Sequence, residues 1–147
     1  MKILFVCKRN EFRSPIAEAI ASKILGKENV CSAGTFTRAQ DNTEALKLTD
    51  REHQKIYCKF IEDQGYEEFG EYRPKKVTNG MINWADIVVD MMESEYDLEM
   101  VRLNPKTIKW EIENPNFKNL NEIDGYKKAE EIYNILKKNI IDLINAK

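Results

Sequence analysis

Two residues near the start of the chain carry side chains that could do chemistry together, Cys7 and Arg13. They stand at the two ends of a polar segment that follows a short apolar run. A cysteine thiolate is a nucleophile, and the electropositive start of a helix together with a nearby guanidinium favours the thiolate over the thiol. The planar fork of arginine can hold two oxygens of one phosphoryl group, which lysine cannot do. The pair therefore predicts covalent chemistry on a phosphate-sized anion.

The segment that joins these two residues is expected to bind that anion. Residues 2–7 predict a strand buried on both faces, and Ser14 and Pro15 predict a helix start, with Ser14 as the N-cap. Backbone N–H groups at a helix start favour an anion. A Cys followed six positions later by an Arg is weak evidence alone, so the prediction rests on the strand before and the helix after. The expected phosphate-binding residues are Lys8, Arg9, Asn10, Glu11, Phe12, Arg13 and Ser14.

The rest of the chain alternates short apolar strands with helices. Further strands are predicted at residues 30–33, 87–89 and 107–112, and helices at 14–25, within 41–65, after Thr78 and from about 123 to 145. This order predicts an α/β fold, a single doubly wound domain over residues 1–147 with a four-stranded parallel sheet and helices on both faces. Ligands of such folds bind beyond the carboxyl ends of the strands, where Cys7 is placed.

Composition narrows the classes of function. The net charge is −2, with 23 basic and 25 acidic residues spread along the chain, so we expect no nucleic-acid and no membrane partner. The apolar run at residues 3–7 is too short for a signal peptide or a membrane span, and we expect a cytoplasmic location. Three cysteines cannot all pair within one chain, and His53 has no nearby Cys, so we expect no metal and no cofactor.

At these residues the chain resembles the low-molecular-weight protein tyrosine phosphatase family, whose fold is shared with thioredoxin-coupled arsenate reductases. The resemblance is carried by residues 7–14 (CKRNEFRS) and their continuation 15–19, by residues 32–35, and by residues 72–78 and 85–89. It covers most of the chain and is weakest between residues 36 and 72. It implies that Cys7 attacks phosphorus, that Arg13 binds the phosphoryl oxygens, and that water then hydrolyses a cysteinyl-phosphate.

The same resemblance implies the substrates and the supporting roles. The substrate would be a phosphorylated protein or a small aryl phosphate. Asn10 would hold the loop conformation, and the Ser14 hydroxyl would donate toward the Cys7 thiolate. Lys8, Arg9 and Glu11 would contribute mainly backbone N–H groups, while the Glu11 side chain would place a negative charge at the mouth of the site.

The chain departs from the family where the general acid is expected. The family has an Asp directly before a Pro on a late loop, and here that position is Asn114. Asparagine cannot donate the proton, and loss of general acid catalysis costs about 10²–10⁴ in rate. Glu113 or Glu111 could replace it, or both could be solvated loop acids. The two aromatic residues that usually follow the Pro are replaced by Asn116 and Phe117.

Two other functions stay open. A phosphate- or phosphopeptide-binding protein would keep the anion site and lack efficient turnover, as Asn114 suggests. An arsenate reductase needs further thiols, and residues 90–100 contain no Cys. The remaining cysteines favour other interpretations, since Cys31 is expected to pack in the core and Cys58 to be incidental in a polar helix.

Overall fold

The computed structural model describes residues 1–37, 47–50, 54–93 and 97–146. Its centre is a four-stranded parallel sheet of order β2-β1-β3-β4. The strands are β1 at Ile3–Cys7, β2 at Val30–Gly34, β3 at Ile87–Asp90 and β4 at Thr107–Lys109. The parallel order and the crossovers confirm the predicted doubly wound α/β architecture.

Helices cover both faces of this sheet. They are α1 at Arg13–Leu25, α2 at Lys55–Asp63, α3 at Asn79–Trp84, α4 at Glu99–Arg102 and α5 at Glu122–Asn145. Single turns of 3₁₀ helix lie at Lys27–Asn29, Leu48–Asp50, Phe69–Glu71 and Phe117–Asn119. Among the described residues, no helix is long and apolar enough to cross a membrane.

The side chains of β1 alternate between two buried clusters, as the period of two in a strand requires. Ile3, Phe5 and Cys7 face the larger cluster, to which α1, α2 and α5 contribute. Leu4 and Val6 face the smaller one, which contains residues of α3 and α4. Burial on both faces explains the continuous apolar run and fixes the end of β1 under the site.

Most predicted elements are present, with shifted ends. The first strand starts at Ile3 rather than residue 2, and the fourth ends at Lys109 rather than residue 112. Of the predicted 41–65 helical region, Lys55–Asp63 is α-helical, while residues 41–46 and 51–53 lie outside the described residues. The short helix Glu99–Arg102 was not predicted. Cys58, expected to be incidental in a polar helix, is 2% exposed and packs in the larger cluster.

The start of α1 also differs from the prediction. The helix begins at Arg13, and its N-cap is Phe12, with no side-chain cap hydrogen bond. Ser14 therefore lies inside the first turn and is not the N-cap. Its hydroxyl lies beside Cys7 instead of the helix N–H groups. By contrast, the predicted cap Thr78 accepts a hydrogen bond from the Met81 N–H at 3.2 Å.

Candidate active site

Cys7 is the last residue of β1 and is 2% exposed. Its Sγ lies 2.9 Å from the hydroxyl oxygen of Ser14, in the first turn of α1. The Nδ2 of Asn10 donates to the same Ser14 oxygen at 2.8 Å. A hydroxyl that accepts from an amide keeps its own single proton for another partner, and here the adjacent acceptor is the sulfur. The Ser14 hydroxyl is therefore placed to donate its proton to the Cys7 sulfur.

Asn10 is the residue on which the loop is built. It is fully buried and has a φ of 57°, in the left-handed region that asparagine tolerates better than most residues. Its Nδ2 also donates to Ser32 Oγ at 3.0 Å, and its Oδ1 accepts from the Tyr72 hydroxyl at 2.8 Å and from the Lys75 N–H at 2.9 Å. All four hydrogen bonds of the amide are therefore made, which fixes the loop against β2 and the segment before α3.

Gly34, at the end of β2, lets the loop approach the sheet closely. A Cβ at this position would lie 2.8 Å from the carbonyl carbon of Arg9 and 2.9 Å from the nitrogen of Asn10. Two further backbone contacts pin the same stretch, since the N–H groups of the next two residues donate to the carbonyls of Cys7 and Lys8. The loop conformation thus depends on a glycine 27 positions away from Cys7. The spacing of residues within the loop does not indicate this long-range contact.

Arg13 is 2% exposed, so its guanidinium lies inside the protein. Its Nη1 donates to the carbonyl of Met91, to Glu93 Oε1 at 3.0 Å and to the carbonyl of Ile112 at 3.4 Å. These partners follow β3 and β4, so Arg13 ties the start of α1 to the carboxyl ends of both strands. Glu93 supplies the negative charge that a buried cation at a helix start needs.

Behind this anchor lies a buried acidic pair. Asp90, at the end of β3, accepts the Met92 N–H at 2.8 Å. The ammonium of Lys109 lies 3.4 Å from Asp90 and 3.5 Å from Asp97. Burial, and then the hydrogen bond with Asp97, raises the pKa of Asp90 to about 6, against an ordinary value of 3.8. We therefore expect the turn after β3 that holds Arg13 to respond to mildly acidic pH.

A cavity of about 560 Å³ opens over the loop. Its lining contains the predicted residues Cys7, Lys8, Arg9, Glu11, Phe12 and Arg13, together with Gln54, Tyr57, Asn114, Pro115, Asn116, Phe117 and Lys118. Asn10 and Ser14 are absent from this lining and lie beneath it, fully buried. Sequence analysis missed Gln54 and Tyr57, and nothing in their sequence context indicated a role.

Glu11, expected to place a negative charge at the mouth of the site, lies in the cavity lining. It is 5% exposed, and its Oε1 accepts a hydrogen bond from Gln54 Nε2 at 2.7 Å. The hydroxyl of Tyr57 donates to its backbone carbonyl. The carboxylate is therefore part of the cavity wall, held by α2 and the residue before it. Its burial follows from packing with a helix far along the chain.

The two candidate proton donors lie outside the cavity lining that contains Cys7. Glu113 is exposed, and its Oε1 accepts from Lys128 Nζ of α5 at 3.2 Å, so it faces that helix. Glu111 is exposed as well, and neither glutamate lines the cavity. Asn114 does line it. The residue expected at the general-acid position thus lies in the cavity lining, and its side chain is an amide.

Of the two residues that follow Pro115, Phe117 packs into an aromatic wall. Phe117 is 8% exposed, and its ring centroid lies 4.8 Å from that of Phe12 and 5.0 Å from that of Tyr57. Phe12 and Tyr57 also meet edge-to-face at 4.8 Å. Such aromatic contacts favour a fixed wall beside the loop. Within the described ranges, no group of three or more His, Cys, Asp or Glu side chains is placed to hold a metal ion.

The chain matches a known protein family over nearly its whole length. The sequence profile described as "Low molecular weight phosphotyrosine protein phosphatase" matches residues 2–146. The chain belongs to this family. A curated relative, the low molecular weight protein-tyrosine-phosphatase PtpB of Staphylococcus epidermidis, is 50% identical over 36 residues, which is 24% of this chain and 26% of that protein. The match spans about a quarter of the relative's length.

Solved structures confirm the fold over the whole chain. The low molecular weight protein tyrosine phosphatase from T. tengcongensis is 26% identical, with a TM-score of 0.69 over 100% of this chain and 99% of that one. The YwlE arginine phosphatase from Geobacillus stearothermophilus is 23% identical, with a TM-score of 0.68 over 99% and 94%. A thioredoxin-dependent arsenate reductase from Corynebacterium glutamicum is 21% identical, with a TM-score of 0.62 over 99% and 60%.

Proposed function

We propose that this chain is a phosphatase that hydrolyses phosphotyrosine or aryl phosphate monoesters through a cysteinyl-phosphate. The observation that carries the proposal is the Ser14 hydroxyl, which accepts from Asn10 and lies 2.9 Å from Cys7 Sγ. Its proton stabilises a thiolate at the carboxyl end of β1, below a cavity of about 560 Å³. A thiolate placed there can attack a phosphorus atom held by the loop.

In the proposed reaction, the sulfur of Cys7 forms a bond to phosphorus while the bond to the leaving oxygen breaks. Arg13 binds the phosphoryl oxygens. In the described structure its protein contacts are all made by Nη1, so Nη2 and Nε remain for the anion. Water then attacks the phosphorus, the P–S bond breaks, and inorganic phosphate and the thiolate are released. Lys8, Arg9, Asn10, Glu11 and Phe12 shape the loop whose N–H groups surround the phosphate.

The leaving oxygen needs a proton, and the wall that should supply it carries Asn114. Glu113 would serve only if it left Lys128 and turned into the cavity. We therefore propose that turnover depends strongly on the leaving group. Substrates whose alcohol is acidic need little protonation and should react fastest.

Turnover of p-nitrophenyl phosphate between pH 5 and 7 tests the proposal. Wild type should release nitrophenol. Cys7→Ser should reduce the rate by about 10³ or more, because a serine hydroxyl does not ionise to a nucleophilic anion under conditions in which a cysteine thiol does. Cys58→Ala is the matched control, since that thiol lies in the core and outside the cavity lining. Absence of turnover in wild type, or equal turnover in Cys7→Ser, would reject the proposal.

A binding protein with impaired turnover is a second possibility, and the amide at position 114 motivates it. Comparing p-nitrophenyl phosphate with phenyl phosphate, a poorer leaving group, separates the two functions. Equal rates on both would indicate that a general acid is present and would count against a binding-only protein. Tight phosphate binding without Cys7-dependent release of either phenol would favour it.

Arsenate reduction is a less favoured alternative. It requires thiols that relay a disulfide, and residues 90–100 contain none. Cys31 and Cys58 are the other thiols of the chain. Burial raises the pKa of both, which keeps them in the less reactive thiol form. Arsenate-dependent formation of a disulfide with either residue would reverse this ranking.

The buried carboxylate of Glu11 favours one more substrate class. A negative group in the cavity wall, held by Gln54, is complementary to a substrate that carries a cationic group next to its phosphate. A structural neighbour described as an arginine phosphatase shows that the fold occurs with such a substrate. Phosphoarginine is therefore a second candidate substrate. Glu11→Gln should reduce hydrolysis of phosphoarginine more than that of p-nitrophenyl phosphate, and equal reductions would count against it.

A further inference from the structure

We propose that Lys75 is a positioning residue for the nucleophile, acting on Cys7 through a hydrogen-bonded chain of Tyr72, Asn10 and Ser14. This inference rests on the proposed role of Cys7 but concerns a residue outside the loop and outside the cavity lining. The Lys75 ammonium would then have a functional role besides its contacts with Tyr72 and Glu18.

The chain starts in a polar cluster under the loop. The Nζ of Lys75 donates to the Tyr72 hydroxyl at 2.8 Å and lies 4.7 Å from the centre of the same ring. It also lies 3.9 Å from Glu18 Oε1 of α1. Its side chain is only 31% exposed, so the ammonium is held between a counter-ion and a phenol and is partly removed from solvent.

The second step is the Tyr72 hydroxyl. Because an ammonium only donates, the Tyr72 oxygen accepts from Lys75 and its own proton must go elsewhere. The nearest group that can only accept is Asn10 Oδ1, at 2.8 Å, while Ser32 Oγ lies 2.6 Å away. Burial raises the pKa of Tyr72 well above its ordinary value, so the phenol keeps the proton that this contact needs.

The third step fixes the direction of the chain. The Asn10 amide cannot be turned around, because its Oδ1 also accepts the Lys75 backbone N–H at 2.9 Å and an N–H can only donate. Nδ2 therefore donates to Ser14 Oγ, and the Ser14 proton points to Cys7 Sγ. In each hydrogen bond of this chain, the donor lies on the side of Lys75 and the acceptor on the side of the sulfur. Hydrogen bonds in such a chain polarise one another, so a positive charge at one end strengthens the last bond to a negative sulfur.

The test measures the pH dependence of Cys7 alkylation by iodoacetamide, followed by mass spectrometry of the peptide that contains Cys7. This readout does not require turnover, so it separates a failure of this inference from a failure of the phosphatase proposal. Lys75→Met keeps the length of the side chain and removes the charge. We expect alkylation at pH 6 to slow about three- to tenfold, the size of one lost hydrogen-bond contribution, with the profile moved to higher pH.

Two matched variants guard against a general charge effect. Lys76→Met removes the charge of the neighbouring exposed lysine and should leave the profile unchanged. Lys75→Arg keeps the charge and should restore most of the wild-type rate. Glu18, Cys31 and Tyr72 are the titratable groups that face Lys75, so the profile is also recorded in Glu18→Gln.

A double-mutant cycle decides whether the effect passes through Tyr72. If it does, Lys75→Met will have little further effect in a Tyr72→Phe background, because the chain is already broken. An unchanged alkylation profile in a folded Lys75→Met protein would overturn the inference. Additive effects of the two substitutions, or an equal shift in Lys76→Met, would overturn it as well.

Discussion

The phosphate-binding loop and the segment 114–118 form two walls of one cavity, yet they are held in different ways. In the first, Asn10, Arg13 and Ser14 are buried, and their polar atoms bond to β2, β3 and the segment before α3. In the second, Asn114 and the adjacent Glu113 are exposed, and Glu113 pairs with α5. The first wall is rigid because its polar groups are buried and hydrogen-bonded. The second combines the buried Phe117 with exposed side chains at Asn114 and the adjacent Glu113.

This difference between the two walls predicts where substitutions are tolerated. A buried polar group without its partner costs about 1–3 kcal/mol, so each residue of the first wall depends on several others. An exposed ion pair such as that of Glu113 contributes little to stability, because solvent screens it. The anion site therefore constrains the sequence tightly, whereas the side that meets the leaving group can change its chemistry at little cost in stability.

The largest effect is expected for Arg13→Lys, on the rigid wall. Lysine keeps the charge but loses the fork, so it cannot hold two phosphoryl oxygens and the contacts to Met91 and Glu93 together. We expect kcat/KM for p-nitrophenyl phosphate to fall by about 10²–10³, as for the loss of an oxyanion donor. Arg102→Lys, on the exposed helix α4, is the control and should not change kcat/KM. A loss below tenfold would contradict the proposed clamp.

Substitution of Asn10 should mainly affect stability. Asn10→Ala removes four buried hydrogen bonds, and we expect the free energy of unfolding to fall by about 2–4 kcal/mol in urea titrations. Asn10→Gly loses the same bonds but accepts a φ of 57° without strain, so it should be about 1 kcal/mol more stable than the alanine variant. Equal stabilities would show that the left-handed backbone is not a cost here.

The residues of the rigid wall could be predicted because they lie close together in the sequence. A buried strand, a polar loop and a helix start follow one another within 15 residues, and the structure brings Cys7, Asn10, Arg13 and Ser14 together there. The assignment of Ser14 as the N-cap was wrong for an instructive reason. Serine is a favoured N-cap residue, but only the fold shows that the Ser14 hydroxyl lies beside the Cys7 thiol.

Contacts between distant segments could not be predicted in the same way. Glu11 was expected at the mouth, but Gln54 and Tyr57 bury it, and neither residue shares a pattern with the loop. The direction of Glu113 depends on Lys128, 15 positions further along the chain. Such pairings depend on how α2 and α5 pack on the sheet, which periodicity alone does not determine.

A change on the exposed wall should have a smaller effect that depends on the substrate. Asn114→Asp restores a carboxyl group at a position that lines the cavity. We expect about a tenfold increase in kcat for phenyl phosphate, which needs a proton on its leaving oxygen, and little change for p-nitrophenyl phosphate.

Glu113→Gln provides the comparison for that variant. Since Glu113 is bound to Lys128 and lies outside the cavity lining, we expect less than about a twofold change with either substrate. A large loss on phenyl phosphate alone would show that Glu113 turns into the cavity and acts as the acid. The contrast between the two walls would then extend to conformational freedom during the reaction.

A pH-dependent effect on stability is expected at the turn behind Arg13. The pKa of Asp90 is raised from 3.8 to about 6, so the folded state holds this proton more tightly than the unfolded chain. Stability from this group is greatest below pH 4, falls as the pH rises from about 4 to 6, and is level above that range. Asp90→Asn keeps an acceptor for the Met92 N–H and should flatten the decrease by about 1–2 kcal/mol in urea titrations between pH 4.5 and 7. Asp142→Asn, exposed on α5, should keep the wild-type slope, and a wild-type slope in Asp90→Asn would place the titration elsewhere.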